Sequence, residues 1–479
     1  MLVLSDFAEG GSSVEISSIS TNYVTHDIID IDGNAQLMST AIAENWDLAG
    51  TRDGSQSAPY VIRNYNITGG SYLIKIQNTD LYVDIHDNYL NGLDVGFGGI
   101  TLFNSTNIVI RDNIITRLSW GIGADSGSNY QIINNTVSNA AYGVRLYYMT
   151  DVNVTLNKIS LGTNYGIQLV STNSSSITHN TLIDNFVSIS LDVATQNSIL
   201  YNTILGGNIG VNIEDGVGTH VQNNTLSNQI YNAIRMAYGS SFNYLYNNSI
   251  TYSKDGALII EGSSEFHAIG NQIRYNSITD TEGNAMDIRN ANNTIIFTNF
   301  IDNATNDGIF HQNSSNSTIQ SNIIQHADDF AVDFDGTSNY NHVYRNQFVD
   351  NNVLGFSQAT DLGNGNEFQY NYWNDWISPD INNDGVVDEP YQISVSPVKQ
   401  EDSFPIVSPD NMNVIAQPIP STLTIVSSSQ TVTQISSQIT TTPTTQNTGT
   451  SSTVSGLSGY SFTFVFIGII TVFIIKKRK

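Results

Sequence analysis

Residues 143–157, GVRLYYMTDVNVTLN, and residues 166–180, GIQLVSTNSSSITHN, carry the pattern that decides the fold. Each begins with a small residue, runs as an alternating apolar strand, turns, and reaches an Asn fourteen residues later. Strands this short, with apolar side chains at every second position, predict half-buried β-structure and not helix. The small residue recurs in steps of 22 or 23 residues, with one step of 29, at Gly99, Gly121, Gly143, Gly166, Ser188, Gly210, Ala233, Gly256, Ala285, Gly308 and Ala331.

This repeat predicts an all-β fold, a right-handed parallel β-helix with three strands in each coil of about 22–23 residues. In the unit that begins at Gly99 the strands are residues 100–103, 108–111 and 114–115. Coils stacked about 4.8 Å apart form three parallel sheets around an apolar core. We call the sheet made by the strands after the small residues the first sheet, and the following two the second and third sheets. The extra residues of the long step predict a loop near residues 261–267.

An Asn at a fixed place in the repeat predicts a ladder of amides inside the stack. A tight corner between strands favours a residue that tolerates the left-handed region, and an Asn amide can also bond to the Asn one coil away. The predicted ladder comprises Asn113, Asn135, Asn157, Asn180, Asn202, Asn224, Asn247, Asn299 and Asn322.

Composition narrows the possible partners. The chain has 43 Asp and Glu against 17 Lys and Arg, a formal charge of -26, so it should repel nucleic acid. It has no Cys, which excludes disulfides, thiolate metal sites and cysteine nucleophiles.

The C-terminal sequence predicts attachment to a membrane. Residues 457–475 contain no charge and are about long enough to cross a bilayer. The basic residues 476–479 follow at once and favour a cytoplasmic C-terminus, with the body outside the plasma membrane as a single-pass protein. A tail anchor with a cytosolic body is the alternative. Residues 1–10 have neither a basic nor an apolar signal region, so either the true start lies upstream or the C-terminal span also directs insertion.

The expected organisation has six parts. Residues 35–46 have helical spacing and should belong to an N-terminal cap, and the Ser- and Thr-rich segment before the span should be an extended stalk. The parts are an N-terminal cap with the first strands (1–72), the β-helix repeats (73–369), a C-terminal cap (370–410), the stalk (411–456), the transmembrane helix (457–475) and the basic tail (476–479). Asn-x-Ser/Thr triplets recur through the body and suit an extracellular glycoprotein, or arise by chance in an Asn-rich repeat.

Three parts of the sequence resemble the NosD-type β-helix family, within the wider class of carbohydrate-binding and sugar-hydrolase β-helices. They are the coils, the segment that leads into them (residues 58–62), and the C-terminal segment with Asn371, Tyr372, Trp373 and residues 380–391. The resemblance covers roughly residues 30–407 and implies the fold more than an activity, because this repeat serves several functions. The family name comes from a copper-maturation protein. Copper is not expected here, because the chain has no Cys and no repeated His or Met ladder.

Residues 380–388, DINNDGVVD, predict a structural calcium site in the C-terminal cap. Oxygen ligands stand at the spacing of an EF-hand or dockerin-like loop, with Gly385 at the sharp turn: the side chains of Asp380, Asn382, Asp384 and Asp388 and the backbone of Val386. The twelfth position holds Tyr391 in place of a bidentate Glu, so Glu389 or Asp375 would have to help. The alternative is an Asx-rich turn without an ion.

The first sheet is the candidate binding surface. Side chains two and four residues after the small residue should point outward, and equivalent positions lie about 5 Å apart in successive coils. The predicted strip consists of Arg145, Gln168, Asn212, Arg235, Asp287 and Asp333 at the second position and Asp125, Tyr147, Asp192, Glu214, Arg289 and Asp335 at the fourth. Trp120, Tyr142 and Tyr165 directly precede three successive small residues and predict an aromatic stack suited to sugar rings. Solvated polar decoration and a sheet-stabilising stack are the alternatives.

Asp192 and Glu214 form the sharpest pair, because two carboxylates on adjacent coils repel unless a cation or proton intervenes. The pair suits a retaining glycosidase, or the calcium site of a lyase with Arg235 or Arg145 as base or anion clamp. Two exposed carboxylates can also simply lean apart into water. The leading hypothesis is a surface-anchored protein that binds polysaccharide along its first sheet. A polysaccharide lyase or glycoside hydrolase, and a structural or adhesion protein without a small-ligand site, are the alternatives.

Overall fold

The computed structural model describes residues 23–394, 400–410, 463–466 and 469–472, within two units, Met1–Ala416 and Gln417–Lys479. The first unit is a parallel β-solenoid of about 14 turns. Each turn contributes one strand to each of three sheets, as the repeat predicts. Every strand pairs with the equivalent strand of the next coil, so the stack is held by a continuous series of parallel ladders.

Three long strands at the start run from the third sheet into the first without a break, which joins these two sheets into one 26-stranded ladder. These strands are Tyr89–Phe103, Ile114–Asp125 and Thr136–Tyr147. The other strands of the first sheet are Ile29–Asp32, Tyr72–Gln77, Tyr165–Val170, Val187–Asp192, Ile209–Glu214, Ile234–Ala237, Leu258–Glu261, Met286–Arg289, Ile309–Gln312, Val332–Phe334 and Ala359–Asp361.

The other strands of the third sheet are Val24–Thr25, Tyr65–Thr68, Lys158–Ser160, Thr181–Ile183, Thr203–Leu205, Thr225–Gln229, Ser249–Ser253, Ser277–Thr281, Phe300–Ala304, Ile323–Gln325, Gln347–Val349 and Tyr372–Trp373.

The second sheet has 16 strands, and the last strand in spatial order is antiparallel to the strand beside it. They are Tyr60–Arg63, Val83–His86, Thr106–Arg111, Ser128–Ile133, Thr150–Thr155, Ser176–Thr178, Ser198–Leu200, His220–Gln222, Tyr244–Tyr246, Gln272–Arg274, Ile295–Phe297, Thr318–Gln320, His342–Tyr344, Glu367–Gln369, Gln400–Asp402 and, antiparallel, Tyr391–Ser394.

Apolar side chains stacked in register fill the interior. Ile167, Ile189, Val211 and Ile234 follow one another in successive coils of the first sheet, and each is fully buried. Branched aliphatic residues suit this position because they pack against both neighbouring coils of a pleated sheet. The core therefore grows by one layer per coil.

The predicted asparagine ladder is present and longer than expected. Each amide nitrogen except the last donates to the amide oxygen of the next coil's Asn at 2.9–3.0 Å, and every one also donates to a backbone carbonyl, as Asn157 does to Ile132 at 2.8 Å. These buried polar groups are thus paired inside the stack. The ladder comprises Asn88, Asn113, Asn135, Asn157, Asn180, Asn202, Asn224, Asn248, Asn276, Asn299, Asn322, Asn346 and Asn371.

Two details of the ladder prediction are wrong. Asn248, and not Asn247, is the rung after Asn224, and Asn247 is exposed. The left-handed residue is also not the rung but the residue before it, with φ of 57° at Asp112 and 59° at Leu156. The left-handed residue turns the corner, and the next side chain then points inward. Asn247 occupies that corner position, with φ of 52°.

Both ends of the solenoid are covered. The helix Asn34–Ala43 lies where helical spacing was predicted and buries Leu37 and Ala41. At the other end the Trp373 ring stacks on Tyr391 at 4.0 Å. The buried Asp402 accepts hydrogen bonds from Asn371, Trp373 and Phe404, while burial raises its pKa above the usual range.

The long step places a loop where the sequence predicts it. Residues 262–267 follow the strand Leu258–Glu261 and lead to a short strand, Ala268–Ile269, which pairs with Ala291–Asn292. Phe266 in this loop is 56% exposed. The loop therefore projects at the corner between the first and second sheets.

The predicted transmembrane helix is not found among the residues that the structure describes. Within residues 457–475 the structure describes only two antiparallel strands, Thr463–Phe466 and Ile469–Val472. This segment is rich in Ile, Val, Thr and Phe, which favour strands, and Gly468 stands between the two. In the part of the chain that the structure describes, no helix has the length and apolar character needed to cross a bilayer. The predicted stalk and basic tail lie outside the described residues.

Candidate functional site

The strip predicted on the first sheet lies in register along the outer face. Arg145 pairs with Gln168, Asn212 pairs with Arg235, and Asp192 pairs with Glu214. Ser190 stands between Gln168 and Asn212 in the same row. The strip is less exposed than expected. Gln168, Asn212 and Asp287 are buried, and the rest of the strip is half-buried except for the exposed Arg289.

The aromatic residues form two groups. The rings of Tyr142 and Tyr165 stack with centroids 5.6 Å apart. Trp120 is in register with Tyr142, but its ring lies nearer to Tyr72 and Phe97, at 6.2 and 6.4 Å. Its indole nitrogen donates to Thr101 at 3.1 Å, which fixes the ring. Phe97, which is 53% exposed, was missed because it lies in the bulged part of a long strand.

Arg145 lies among these rings. Its guanidinium carbon is 4.6 Å from the Tyr142 centroid and 4.5 Å from that of Tyr147, distances at which a cation is attracted to an aromatic face. It donates to the Tyr147 hydroxyl from Nε at 3.0 Å and from Nη2 at 2.5 Å. No ion pair joins Arg145 to any described carboxylate. With Trp120 and Asp125 it lines a shallow depression of about 170 Å³. The donors of Arg145, the acceptor Asp125 and the flat apolar rings therefore lie close together on this surface.

The predicted carboxylate pair belongs to a charged network. Arg235 donates to Glu214 at 3.3 Å, to Asn212 at 3.1 Å and to Glu261 at 3.4 Å. Arg235 thus bridges the Glu214 and Glu261 carboxylates and is not an open clamp for an anion. Burial raises the pKa of Tyr165, and the charges of Glu214 and Asp192 raise it further. The Tyr142–Tyr165 stack and the carboxylate pair are thus parts of one surface.

A second titratable cluster, further along the same sheet, includes a residue that sequence reasoning missed. Asp307 is buried and accepts a hydrogen bond from the Phe330 amide at 3.0 Å. Burial, with Asp333 the largest contributor among nearby charges, raises the pKa of Asp307 to about 7. Burial and neighbouring Asp residues raise the pKa of Asp333 to about 6. Asp307 directly precedes Gly308, just as Tyr142 precedes Gly143, so following that position through every coil would have found it.

Asp287, in the same cluster, has a different environment. Arg289 donates to both of its oxygens at 2.7 Å, a bidentate ion pair. Asp307 and Asp333, whose pKa values are raised, thus lie beside a carboxylate that is paired with a cation. A carboxyl whose pKa is raised toward neutral pH is suited to act as a general acid.

The predicted calcium loop turns as expected but does not gather a third acidic group around one point. Gly385 has φ of 87°, and the Asp380 carboxylate accepts the amides of Asp384 and Gly385 at 3.1 and 2.9 Å. Asp388 accepts the Ile381 amide at 2.7 Å. Among the described residues, no group of three or more His, Cys, Asp or Glu side chains is placed to hold a metal ion.

The stacked coils, with polar and aromatic side chains in register on one face, define a β-solenoid protein. The chain belongs to the family described as right handed beta helix region, whose model matches residues 51–199, 98–250 and 243–376. The predicted right-handed β-helix is thereby confirmed. The comparison with curated proteins found no match.

Several solved structures are similar. The periplasmic alginate epimerase AlgG is 11% identical with a TM-score of 0.43, over 62% of this chain and 76% of that one. The A-module of the Azotobacter vinelandii mannuronan C-5 epimerase AlgE6 is 11% identical with a TM-score of 0.43, over 71% and 96%. The DFA-IIIase of Arthrobacter chlorophenolicus A6 is 11% identical with a TM-score of 0.41, over 68% and 95%.

Proposed function

We propose that this chain is a cell-surface protein that binds polysaccharide along the outer face of its first sheet. The observation that carries the proposal is the site at Arg145, where a guanidinium lies over Tyr142 and Tyr147 beside Asp125 and the 170 Å³ depression. Aromatic faces pack against the C–H faces of sugar rings, while a carboxylate and a guanidinium accept from and donate to their hydroxyls. A repeat of about 4.8 Å per coil suits a long chain lying across many coils.

The charge of the face favours an uncharged glycan. Between residues 125 and 335 the outward positions of the first sheet hold seven carboxylates and three arginines. Two of the arginines, Arg235 and Arg289, are already paired with carboxylates. A chain of uronic acids would add negative charge to a surface that already has an excess of it.

The test is affinity electrophoresis of the full chain through gels that contain neutral polysaccharides. Tyr142→Ala and Arg145→Gln should each weaken retardation, with dissociation constants raised about tenfold, since an aromatic contact or a charge-assisted hydrogen bond contributes on the order of 1.5 kcal/mol. Phe356→Ala is the control, because Phe356 is 79% exposed and lies outside the strip. Wild-type mobility unchanged in every gel would reject the proposal.

A hydrolase or lyase acting on the same polysaccharide is the second candidate. The raised pKa values of Asp307 and Asp333 favour it, because a protonated carboxyl near neutral pH can act as a general acid. Asp192 and Glu214 are the alternative pair. The test is whether the wild-type protein shortens a polysaccharide. Loss of this shortening in Asp307→Asn, with shortening retained when Asp192→Asn is combined with Glu214→Gln, would assign activity to the Asp307 cluster. The reverse pattern would assign it to the predicted pair.

Display at the cell surface and the NosD-type relationship also belong to this proposal. The anchor would be the uncharged residues 457–475, followed by the basic residues 476–479, and these are supported by sequence alone. The NosD-type assignment rests on the closing segment around Asn371, Tyr372 and Trp373. Carbonate extraction of membranes from producing cells tests the anchor. Retention of the full chain supports it, and release into the wash contradicts it.

Calcium is proposed to stabilise the C-terminal cap. Its ligands would be the side chains of Asp380, Asn382, Asp384 and Asp388 and the backbone of Val386. The turn at Gly385 and the wrapping of the loop around Asp380 support the site. Isothermal titration of the chelator-treated chain with calcium tests it, with Asp384→Asn as the variant that should lose the heat of binding. No heat with the wild-type chain would mean an Asx-rich turn without an ion.

A further inference from the structure

The second sheet is free of negative charge over much of its length, although the chain contains 43 Asp and Glu residues. Eight successive strands of this sheet contain neither Asp nor Glu, and neither do the two residues that follow each strand. These strands are Ser176–Thr178, Ser198–Leu200, His220–Gln222, Tyr244–Tyr246, Gln272–Arg274, Ile295–Phe297, Thr318–Gln320 and His342–Tyr344. At about 0.15 M salt, charges more than about 8 Å away are largely screened, so this face presents its own local charge to a ligand.

Aromatic side chains lie along this face, which has no acidic residues in its strands. Tyr246 is in register with Arg274, and Arg274 is in register with Phe297. The Tyr275 ring lies between those of Tyr246 and Phe297, at 5.1 and 5.8 Å. Tyr246 and Tyr275 remain 42% and 43% exposed. One coil before Tyr246, His220 stacks on Tyr244 at 4.8 Å. These rings form a platform across successive coils.

Arg274 lies on this platform and has no acceptor among the described residues. Its guanidinium carbon is 5.6 Å from the Phe297 centroid. Its Nε is buried and has no hydrogen-bond partner, and no ion pair involves it among the described residues. By contrast, Arg235 and Arg289 on the first sheet are both paired with carboxylates. A buried donor without an acceptor is costly, and a guanidinium presents a fork of donors that matches a planar anion.

We infer that the second sheet around Arg274 is a second ligand-binding face, which takes an anionic sugar chain. Arg274 would bind a carboxylate or sulfate group, and Tyr246 and Tyr275 would pack against the sugar rings. This face goes beyond the proposed function, since the first sheet carries an excess of carboxylates and suits a neutral glycan. The two faces would therefore accept polysaccharides of opposite character.

The test measures binding of the full chain to three fluorescent probes in 0.15 M salt with a chelator: oligogalacturonate, dextran sulfate and uncharged dextran. Wild-type protein should bind at least one anionic probe, and Arg274→Gln should weaken that binding about tenfold or more. Tyr246→Ala should also weaken it. Arg117→Gln is the matched control, because it removes the same charge from an arginine that is paired with Asp94 away from this face.

The outcomes separate this inference from the proposed function. Preference for oligogalacturonate over dextran sulfate identifies a carboxylate ligand, and the reverse preference identifies a sulfate ligand. Failure of both anionic probes to bind, or an Arg274→Gln affinity within about twofold of wild type, overturns the second face. The effect of Tyr142→Ala on the binding of neutral polysaccharide is a separate measurement. It is expected even if neither anionic probe binds.

Discussion

Asn371 donates two hydrogen bonds to Asp402, from its backbone nitrogen and from Nδ2 to the same carboxylate oxygen, each 3.0 Å long. All thirteen ladder amides donate in one direction along the stack, so the donor end of the series meets a carboxylate. An anion is favourable at the donor end of aligned amide dipoles, as it is at a helix N-terminus. The C-terminal segment therefore ends the ladder as well as covering the core.

Asp402→Asn should destabilise the solenoid. Oδ2 of Asp402 accepts from Asn371 and from the Trp373 indole, and Oδ1 accepts from the Phe404 amide. An amide at this position must turn its own N–H groups toward one of these donors, at a cost of about 1–3 kcal/mol. Denaturant unfolding of the full chain, followed by circular dichroism, measures this cost. An unchanged midpoint would show that Asp402 does not stabilise the end of the ladder.

Asn202→Ala should be more costly, because it interrupts the ladder in the middle. The Asn180 amide would lose its acceptor, and the Ile177 carbonyl and the Asn224 amide oxygen would lose a donor. We expect a loss of about 3 kcal/mol or more in the free energy of unfolding, from these buried groups and the cavity. Asn208→Ala is the control, since Asn208 is only half-buried. Equal effects of the two substitutions would contradict the role of the ladder.

Asp307→Asn should stabilise the chain in a pH-dependent way. The folded-state pKa of Asp307, about 7, lies above its ordinary value of 3.8. Its contribution to stability is therefore fully present below pH 3.8 and is lost as pH rises through 7. At pH 8 the variant should be more stable by on the order of 2 kcal/mol, and at pH 4 nearly equal to wild type. Melting temperatures at both pH values, with exposed Asp151→Asn as control, measure this difference. Equal shifts at both pH values would contradict the raised pKa.

His311→Leu should stabilise the chain with the opposite pH dependence. His311 is fully buried against Phe334, and neither ring nitrogen has a hydrogen-bond partner in the described part of the chain. Burial lowers its pKa from 6.5 to about 3, so stability is lost as pH falls from 6.5 toward 3. The substitution should raise the free energy of unfolding by about 1–2 kcal/mol at pH 7, and by more at pH 5. A gain that is absent at pH 5 would mean that the imidazole has a partner.

The sequence was sufficient to predict the coils, because each coil repeats the same apolar alternation and each strand must pair with the next coil. It was insufficient at Asn247 and Asn248, where two adjacent Asn residues offer two registers and only the corner geometry selects Asn248. It could place Asp333 on the outer face but not reveal the shared environment of Asp307, which depends on burial and on three neighbouring coils. The pairing of Arg235, and the absence of an acceptor for Arg274 in the described part of the chain, are likewise properties of the folded surface.

The most direct test of the central claim is size-exclusion chromatography of the full chain, in mild detergent, with a panel of neutral polysaccharides. We predict co-elution of intact polysaccharide with the wild-type protein, and loss of co-elution when Tyr142 and Arg145 are replaced by Ala and Gln. Co-elution that survives the double substitution would place binding elsewhere on the molecule. Unchanged elution of every polysaccharide with the wild-type protein would contradict a glycan-binding first sheet.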